Sequence, residues 1–233
     1  MRQTFIVSIV LLPILTVVSF LRAQQKQESP LESVLYKLDT TAANFQTAQA
    51  DFIWDQYQKV VDETDTQKGT VYYRRSGKDI EMMAEIKEPD HKFVLYKDGK
   101  LQMYQPKIEQ VTNFATGNNR TDVESYLVLG FGGSGQDLLK AFDVSYVGEE
   151  SIDNVATAKL QLVPKSEKVR NTFSKILLWI DLSRGISVRQ QFMAPQGDYR
   201  LARYSSIRVN ERIPNDVFRL KTTGKTQFVS PRG

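Results

Sequence analysis

The sequence predicts an α+β fold, mainly β, in which one curved antiparallel sheet carries helices on its concave side. Three observations lead there. One stretch near residue 30 repeats its apolar residues at spacings of three and four. From Ala50 onward the period changes to two. Strand-like runs then lie on both sides of a short helical interruption, without the regular alternation of strands and long helices that a doubly wound nucleotide fold requires. With 12 Phe and 10 Tyr in a 41% hydrophobic chain of 233 residues, the composition suits an aromatic-rich β domain with a sizeable core.

The chain opens on a targeting signal. Met1-Arg2 precedes an apolar run over 5–21 that is interrupted by Pro13 and followed by Arg22-Ala23-Gln24. The expectation is a secretory signal peptide over 1–23 cleaved after Ala23, a polar linker over 24–28, and a single domain over 29–233. A retained anchor is the alternative. Removing Arg2 and Arg22 takes the formal charge from +4 to +2. A chain so nearly balanced gives no reason to expect a nucleic-acid partner. The absence of cysteine excludes a disulfide framework, a thiol nucleophile, Cys-ligated metals and a lipidated cysteine.

Ser29-Pro30-Leu31-Glu32 combines an N-cap, a first-turn proline and a capping-box glutamate. Leu31, Val34, Leu35, Leu38, Ala42 and Phe45 form the apolar stripe of the helix that follows, expected to end near Ala48. Phe52 and Trp54 then alternate with Asp51 and Asp55. After a polar turn comes a strand from Gly69 to Arg75. Ile80, Met82, Ala84 and Ile86 share one face of the next strand, with Glu81, Met83, Glu85 and Lys87 on the other. Runs over 93–96 and 101–104 flank Lys97-Asp98-Gly99-Lys100, a hairpin signal because Asp98-Gly99 tolerates positive φ.

The interruption spans 122–142, with short helices expected over 123–129 and 136–142 and the run Gly130-Phe131-Gly132-Gly133-Ser134-Gly135 between them. Leu127, Leu129, Phe131, Leu138, Leu139 and Phe142 are either a mobile apolar flap over a ligand or ordinary core. Strand patterns resume over 144–147, 156–163, 173–182, 186–193 and 199–209. The run from Lys175 to Ile180 is apolar on both faces, which suits a strand between the sheet interior and a helix.

Catalytic constellations are poor. His91 is the only histidine and sits in a turn-like context. The glycine run lacks a phosphate-binding lysine and does not match the dinucleotide fingerprint, and Ser134 is outside a nucleophile-elbow pattern. Asp62-Glu63 and Glu149-Glu150 read as loop carboxylates. Arg74, Arg75 and Lys78 beside Tyr72 and Tyr73 read as an edge strand kept soluble by charge, with phosphate or nucleic-acid binding as the other reading.

The ordered series Ala50-Asp51-Phe52, Gly69 to Lys78, Pro89 followed by Lys92 to Lys100, Leu101 to Pro106, and Ile213-Pro214-Asn215-Asp216-Val217-Phe218 resembles the periplasmic outer-membrane lipoprotein carriers of the LolA family, in the LolA/LolB superfamily. That resemblance implies an incomplete β-barrel covered by helices. It implies a non-enzymatic carrier that needs no cofactor and shields the acyl chains of lipoproteins or lipids in an apolar cavity. Such a carrier takes its cargo from an inner-membrane transporter to an outer-membrane acceptor. On that basis Ile80, Met82, Ala84, Ile86, Phe93, Leu95 (or the opposite-face neighbours of the last two), Leu177, Trp179 and Phe192 are expected to line the cavity. Leu35, Leu38, Leu127, Leu129, Phe131, Leu138 and Leu139 are expected in the helical cover. Arg75 and Lys78 mark the latch region, although Arg75-Ser76-Gly77-Lys78 lacks the proline of the family's Arg-Pro-Gly. A non-enzymatic periplasmic interaction or sensor module on the same fold is the alternative function. A hydrolase would require His91 or a carboxylate pair in a pocket.

Overall fold

A computed structural model describes residues 29–77, 79–114, 126 and 129–230. The expected signal peptide over 1–23, the linker over 24–28, Lys78 and Leu127 lie outside the described residues.

Helix α1 (Pro30–Asn44) starts on the expected capping box: Ser29 Oγ accepts from the Glu32 N–H at 3.2 Å, and Glu32 Oε2 accepts from the Ser29 N–H at 2.9 Å. It ends four residues before the predicted position. The Gln46 and Thr47 N–H groups donate to Asn210 Oδ1, and Thr47 Oγ1 donates to the Glu211 carbonyl, so the chain is already extended there. These tertiary bonds outweigh the helical preference of the residues that follow.

Strand β1 (Thr47–Gln58) and β2 (Glu63–Ser76) form a long hairpin. The residues before Gly69, expected as a turn, extend its ladder out to a tip at 59–62, where Val60 is 94% exposed. Strands β3 (Asp79–Glu88), β4 (Lys92–Lys97), β5 (Lys100–Gln105) and β6 (Gln110–Phe114) continue the meander. Asp98 and Gly99 turn the β4–β5 hairpin with φ of 51° and 70°. Helix α2 (Gly135–Ala141) leads to β7 (Phe142–Ile152) and β8 (Val155–Pro164); a short helix α3 (Glu167–Arg170) leads to β9 (Lys175–Asp181), β10 (Ile186–Met193) and β11 (Tyr199–Val209). Strand β12 (Gln227–Val229) ends the series.

All twelve strands belong to one sheet in the order β12-β6-β5-β4-β3-β2-β1-β11-β10-β9-β8-β7. Every pairing is antiparallel except that of β12 with β6. The sheet is curved and not closed. Strand β2 is interior to it, which corrects the edge-strand reading of Arg74 and Arg75. Glu149 and Glu150 lie on β7, an outermost strand, rather than in a loop.

Two apolar clusters fill the concave side. Val34, Leu35 and Leu38 of α1 and Leu138 of α2 pack on Leu160, Ile176, Leu178 and Ile180; Phe45 and Phe131 pack on Phe52, Val71, Tyr73, Met82 and Ala84. On the outer side the 3₁₀ turn Asn215–Phe218 covers Met83 and Leu95 with Phe218. That cover explains why Met83 and Glu81, on the face opposite Met82, are only 2% and 4% exposed. Glu81 is paired there with Arg74, whose guanidinium lies 4.3 Å from the Phe218 ring centroid.

Candidate functional site

Strands β1–β5 and β10–β11 bend around a cavity of about 420 Å³. Alternation along each strand selects its walls. Trp54 on β1, Tyr73 on β2, Met82 and Ile86 on β3, Val94 on β4, Met103 on β5, Phe192 on β10, and Ala202 and Tyr204 on β11 all face it, with Tyr126 and Phe173 contributing further rings. Phe173 and Phe192 meet with centroids 5.3 Å apart, and Tyr126 lies 5.8 Å and 6.4 Å from them. Gln56, Asp65, Gln67, Lys92 and Arg200 form a polar margin.

In the depth of the site Gln190 and Tyr204 engage each other, whereas the buried Trp54 indole N–H has no hydrogen-bond partner among the described residues. Tyr204 donates from its hydroxyl to Gln190 Oε1 at 3.3 Å, and Gln190 Nε2 donates to the Leu129 carbonyl at 2.5 Å. Burial pushes both the Tyr73 and Tyr204 hydroxyls well above their ordinary range, so the two phenols stay neutral.

Of the residues expected in the lining, Met82, Ile86 and Phe192 reach the cavity. Ile80 and Ala84 share the face of Met82 and are buried in the same cluster. Phe93 and Leu95 point to the outer face, where Leu95 meets Phe218; their neighbour Val94 lines the cavity instead. Leu177 and Trp179 also lie on the outer side, with Ile152 and Val188, whereas Ile176 and Leu178 face inward. The outer face of β9 is covered by no helix among the described residues. Lys159 and Arg189 lie against the Trp179 ring at 4.6 Å and 5.4 Å, and its indole N–H donates to Glu150. A strand that is apolar on both faces gives no pattern by which to choose the inward one, so Leu177 and Trp179 stand one residue away from the inward Ile176 and Leu178, while Val94 is one of the opposite-face neighbours allowed for Phe93 and Leu95.

Trp54, Tyr73, Met103, Phe173 and Tyr204 were not among the expected lining. Two of them had a signal. Trp54 alternates with Phe52, and the Asp98-Gly99 turn sets Met103 opposite Val94.

The cover is well packed. Leu35, Leu38, Leu129 and Leu138 are buried in the cluster over β8–β9, and Leu139 is half-buried beside them. Phe131 is fully buried, stacked on Tyr73 at 4.8 Å and edge-on to Tyr204 at 4.9 Å. The glycine run that carries it makes close turns. Gly132 has φ +86°, and a Cβ there would sit 2.5 Å from the Phe45 ring.

Arg75 joins the cover to the sheet. Its Nε donates to the Phe45 carbonyl at 3.1 Å, and its Nη2 donates to the carbonyls of Gly132 at 3.0 Å and Ala42 at 3.4 Å. One guanidinium thus holds the end of α1 and the glycine run together, without the proline of the family's motif.

His91 and Ser134 have other partners. His91 Nε2 lies 2.9 Å from Glu85 Oε1, and Ser134 caps α2 by accepting from the Asp137 N–H. Asp55 is paired with Arg203 and accepts from Thr66, and Asp65 accepts from Gln58. Among the described residues no group of three or more His, Asp or Glu could hold a metal ion.

The family described as outer membrane lipoprotein carrier protein LolA matches residues 43–221. The chain belongs to the LolA family. Its members are periplasmic, non-catalytic carriers. Among solved structures, an uncharacterized conserved protein of Thermus thermophilus is similar, with a TM-score of 0.55 and 12% identity over 87% of this LolA-family chain and 100% of that one. MucB gives a TM-score of 0.53 at 12% identity, over 83% of this chain and 64% of that one. The MucA/MucB complex from Pseudomonas aeruginosa gives 0.50 at 12% identity, over 82% and 61%. The match therefore spans less than two thirds of the MucB chains, and at these identities the likeness is one of fold. No curated protein sequence matches the chain.

Proposed function

We propose that this chain carries acyl tails, of lipoproteins or of lipids, through the periplasm in the concave cavity and delivers them towards the outer membrane. The observation that carries this reading is an apolar cavity of about 420 Å³ walled by Met82, Ile86, Val94, Met103 and Phe192, within a family of lipoprotein carriers. Each methylene kept from water is worth about 0.8 kcal/mol, so burying about ten of them offsets roughly 8 kcal/mol of exposure. Covalent chemistry is not needed. The secretion signal read over 1–23 supplies the route to the periplasm, an inner-membrane transporter would load the carrier, and an outer-membrane acceptor would unload it. Arg75 would hold the cover closed in transit.

The experiment is native mass spectrometry of the mature protein purified from its own envelope, with identification of whatever denaturation releases. A stoichiometric acylated protein or lipid is the expected result. A clean apo mass, unchanged after incubation with lipoproteins and lipids, would overturn carriage. It would favour an interaction or sensor module, a second reading supported by the likeness to MucB, which has been solved in complex with MucA.

A further inference from the structure

The polar groups around the cavity are not equally engaged. In the depth, Gln190 is used on both sides, by Tyr204 and by the Leu129 carbonyl. On the margin Asp55 is neutralised by Arg203, and Asp65 accepts from Gln58 Nε2 at 3.2 Å. Lys92 and Arg200 differ from these. Both line the cavity, and neither has an ion-pair or hydrogen-bond partner among the described residues.

The sheet places these two cations on opposite walls. Lys92 opens β4 and pairs with Ile86 of β3, two residues before Val94 on the same face. Arg200 lies on β11 opposite Gln56 and Phe192, two residues before Ala202 on the same face. Strands β3, β2 and β1 separate β4 from β11, so the charges bracket the space between them. Arg200, Gln56 and Asp65 are exposed, which sets this margin at the mouth. Among the described residues Asp65 is the one carboxylate there without a cationic partner, so two cations leave the mouth with a net positive charge.

We propose that the mouth is an anion-binding margin and that the cargo is an acyl chain with an anionic head, a carboxylate or a phosphate, seated between Lys92 and Arg200 with its tail inward. The inference rests on the acyl-carriage reading and specifies its substrate class. A guanidinium offers a planar fork to either oxyanion and an ammonium adds a point charge, while Gln56 and Gln67 supply neutral donors. The tail goes inward, because the depth is walled by rings and aliphatic side chains and offers a head no charge among the described residues, only neutral groups such as the unpartnered Trp54 indole N–H.

The test measures binding of oleate, 1-oleoyl-lysophosphatidate and oleyl alcohol, each below its aggregation limit, to the mature chain and to the double variant Lys92→Gln/Arg200→Gln, with inorganic phosphate as competitor. The wild type is expected to bind both anionic ligands about tenfold or more tightly than the alcohol, as charge-assisted hydrogen bonds predict. That preference should fall to within about threefold in the double variant and shrink with added salt. Both residues lie at the mouth, so an unchanged melting temperature checks the fold of the variant. Equal binding of alcohol and oleate by the wild type, or a preference kept by the double variant, would overturn the anionic head and leave carriage standing. Displacement of oleate by inorganic phosphate alone would assign the margin to free phosphate rather than to a lipid, and would overturn the proposal. Binding of none of the three amphiphiles would overturn acyl carriage itself, and this inference with it.

Discussion

Replacing Arg75 with methionine keeps most of the side chain's length and apolar stem and removes its donors. Two of its hydrogen bonds are short, to Phe45 and Gly132, and the third, to Ala42, is long. A hydrogen bond from a charged donor contributes about 1.5–3 kcal/mol, and a carbonyl left without its partner adds to the loss. The side chain is only partly buried, so water recovers some of it, and the expected cost is about 2–4 kcal/mol. The loss should be felt first where the glycine run meets the sheet. The Ser187 N–H donates to the Gly130 carbonyl at 3.0 Å and is a direct reporter of that seam. Native-state hydrogen exchange should show its protection falling by roughly 30- to 700-fold. Arg75→Lys should fall between, because one ammonium cannot reproduce the fork. Protection at Ser187 within threefold of wild type in the methionine variant would refute the view that Arg75 holds the cover down.

Met82→Trp puts a large ring into the cavity wall from a residue that is 5% exposed, and should lower acyl-chain loading at least tenfold with the strand content retained; unchanged loading by a folded variant would remove Met82 from the lining. Phe131→Ala removes a fully buried ring that touches Tyr73 and Tyr204, and urea unfolding should show a loss of about 3–5 kcal/mol, whereas a loss below about 1 kcal/mol would mean the site collapses freely. Asp181 accepts from the N–H and hydroxyl of Ser183 and from the N–H and guanidinium of Arg184. Burial raises its pKa, but these donors outweigh it and hold the carboxyl below its ordinary 3.8. A depressed folded-state value adds stability that is present above the unfolded pKa and lost as pH falls through the folded one. Asp181→Asn should therefore flatten the acid limb of stability below about pH 4, and an unchanged limb would refute the assignment.

How much of this was readable in the chain differs by element. The start of α1 was written locally in Ser29, Pro30 and Glu32, and the β4–β5 hairpin in Asp98-Gly99. Both depend on neighbours in sequence. The end of α1 depended on Asn210, more than 160 residues away, which no local pattern announces. Where one face of a strand is polar, as around Met82, the inward residues followed from alternation. Where both faces are apolar, as at Leu177 and Trp179, or where a distant segment covers the outer face, as Phe218 covers Met83 and Leu95, parity could not be chosen. Arg75 was singled out by resemblance as an expected latch residue, but its carbonyl partners belong to segments that only the fold brings to it. Lys92 and Arg200 were passed over because each is an ordinary surface cation until the sheet sets them on the two sides of one opening.

The long β1–β2 hairpin also sets what engineering this chain will tolerate. Beyond Trp54 and Gln67 its two strands are held by their own ladder, by the pairing of Asp55, Gln56 and Tyr57 with Leu201, Arg200 and Tyr199 of β11, and by the Lys59 N–H, which donates to Asp198 at 2.9 Å, with little core beneath. Trimming the tip pair Gln58 and Glu63, one residue from each strand, shortens the arm and leaves the wall residues as they are. Trimming a single residue from one strand must end in a bulge or in reversal of every side chain beyond it. A tag, label or binding peptide can thus be grafted between Lys59 and Asp62 in balanced pairs, and the arm becomes an adjustable handle beside the opening.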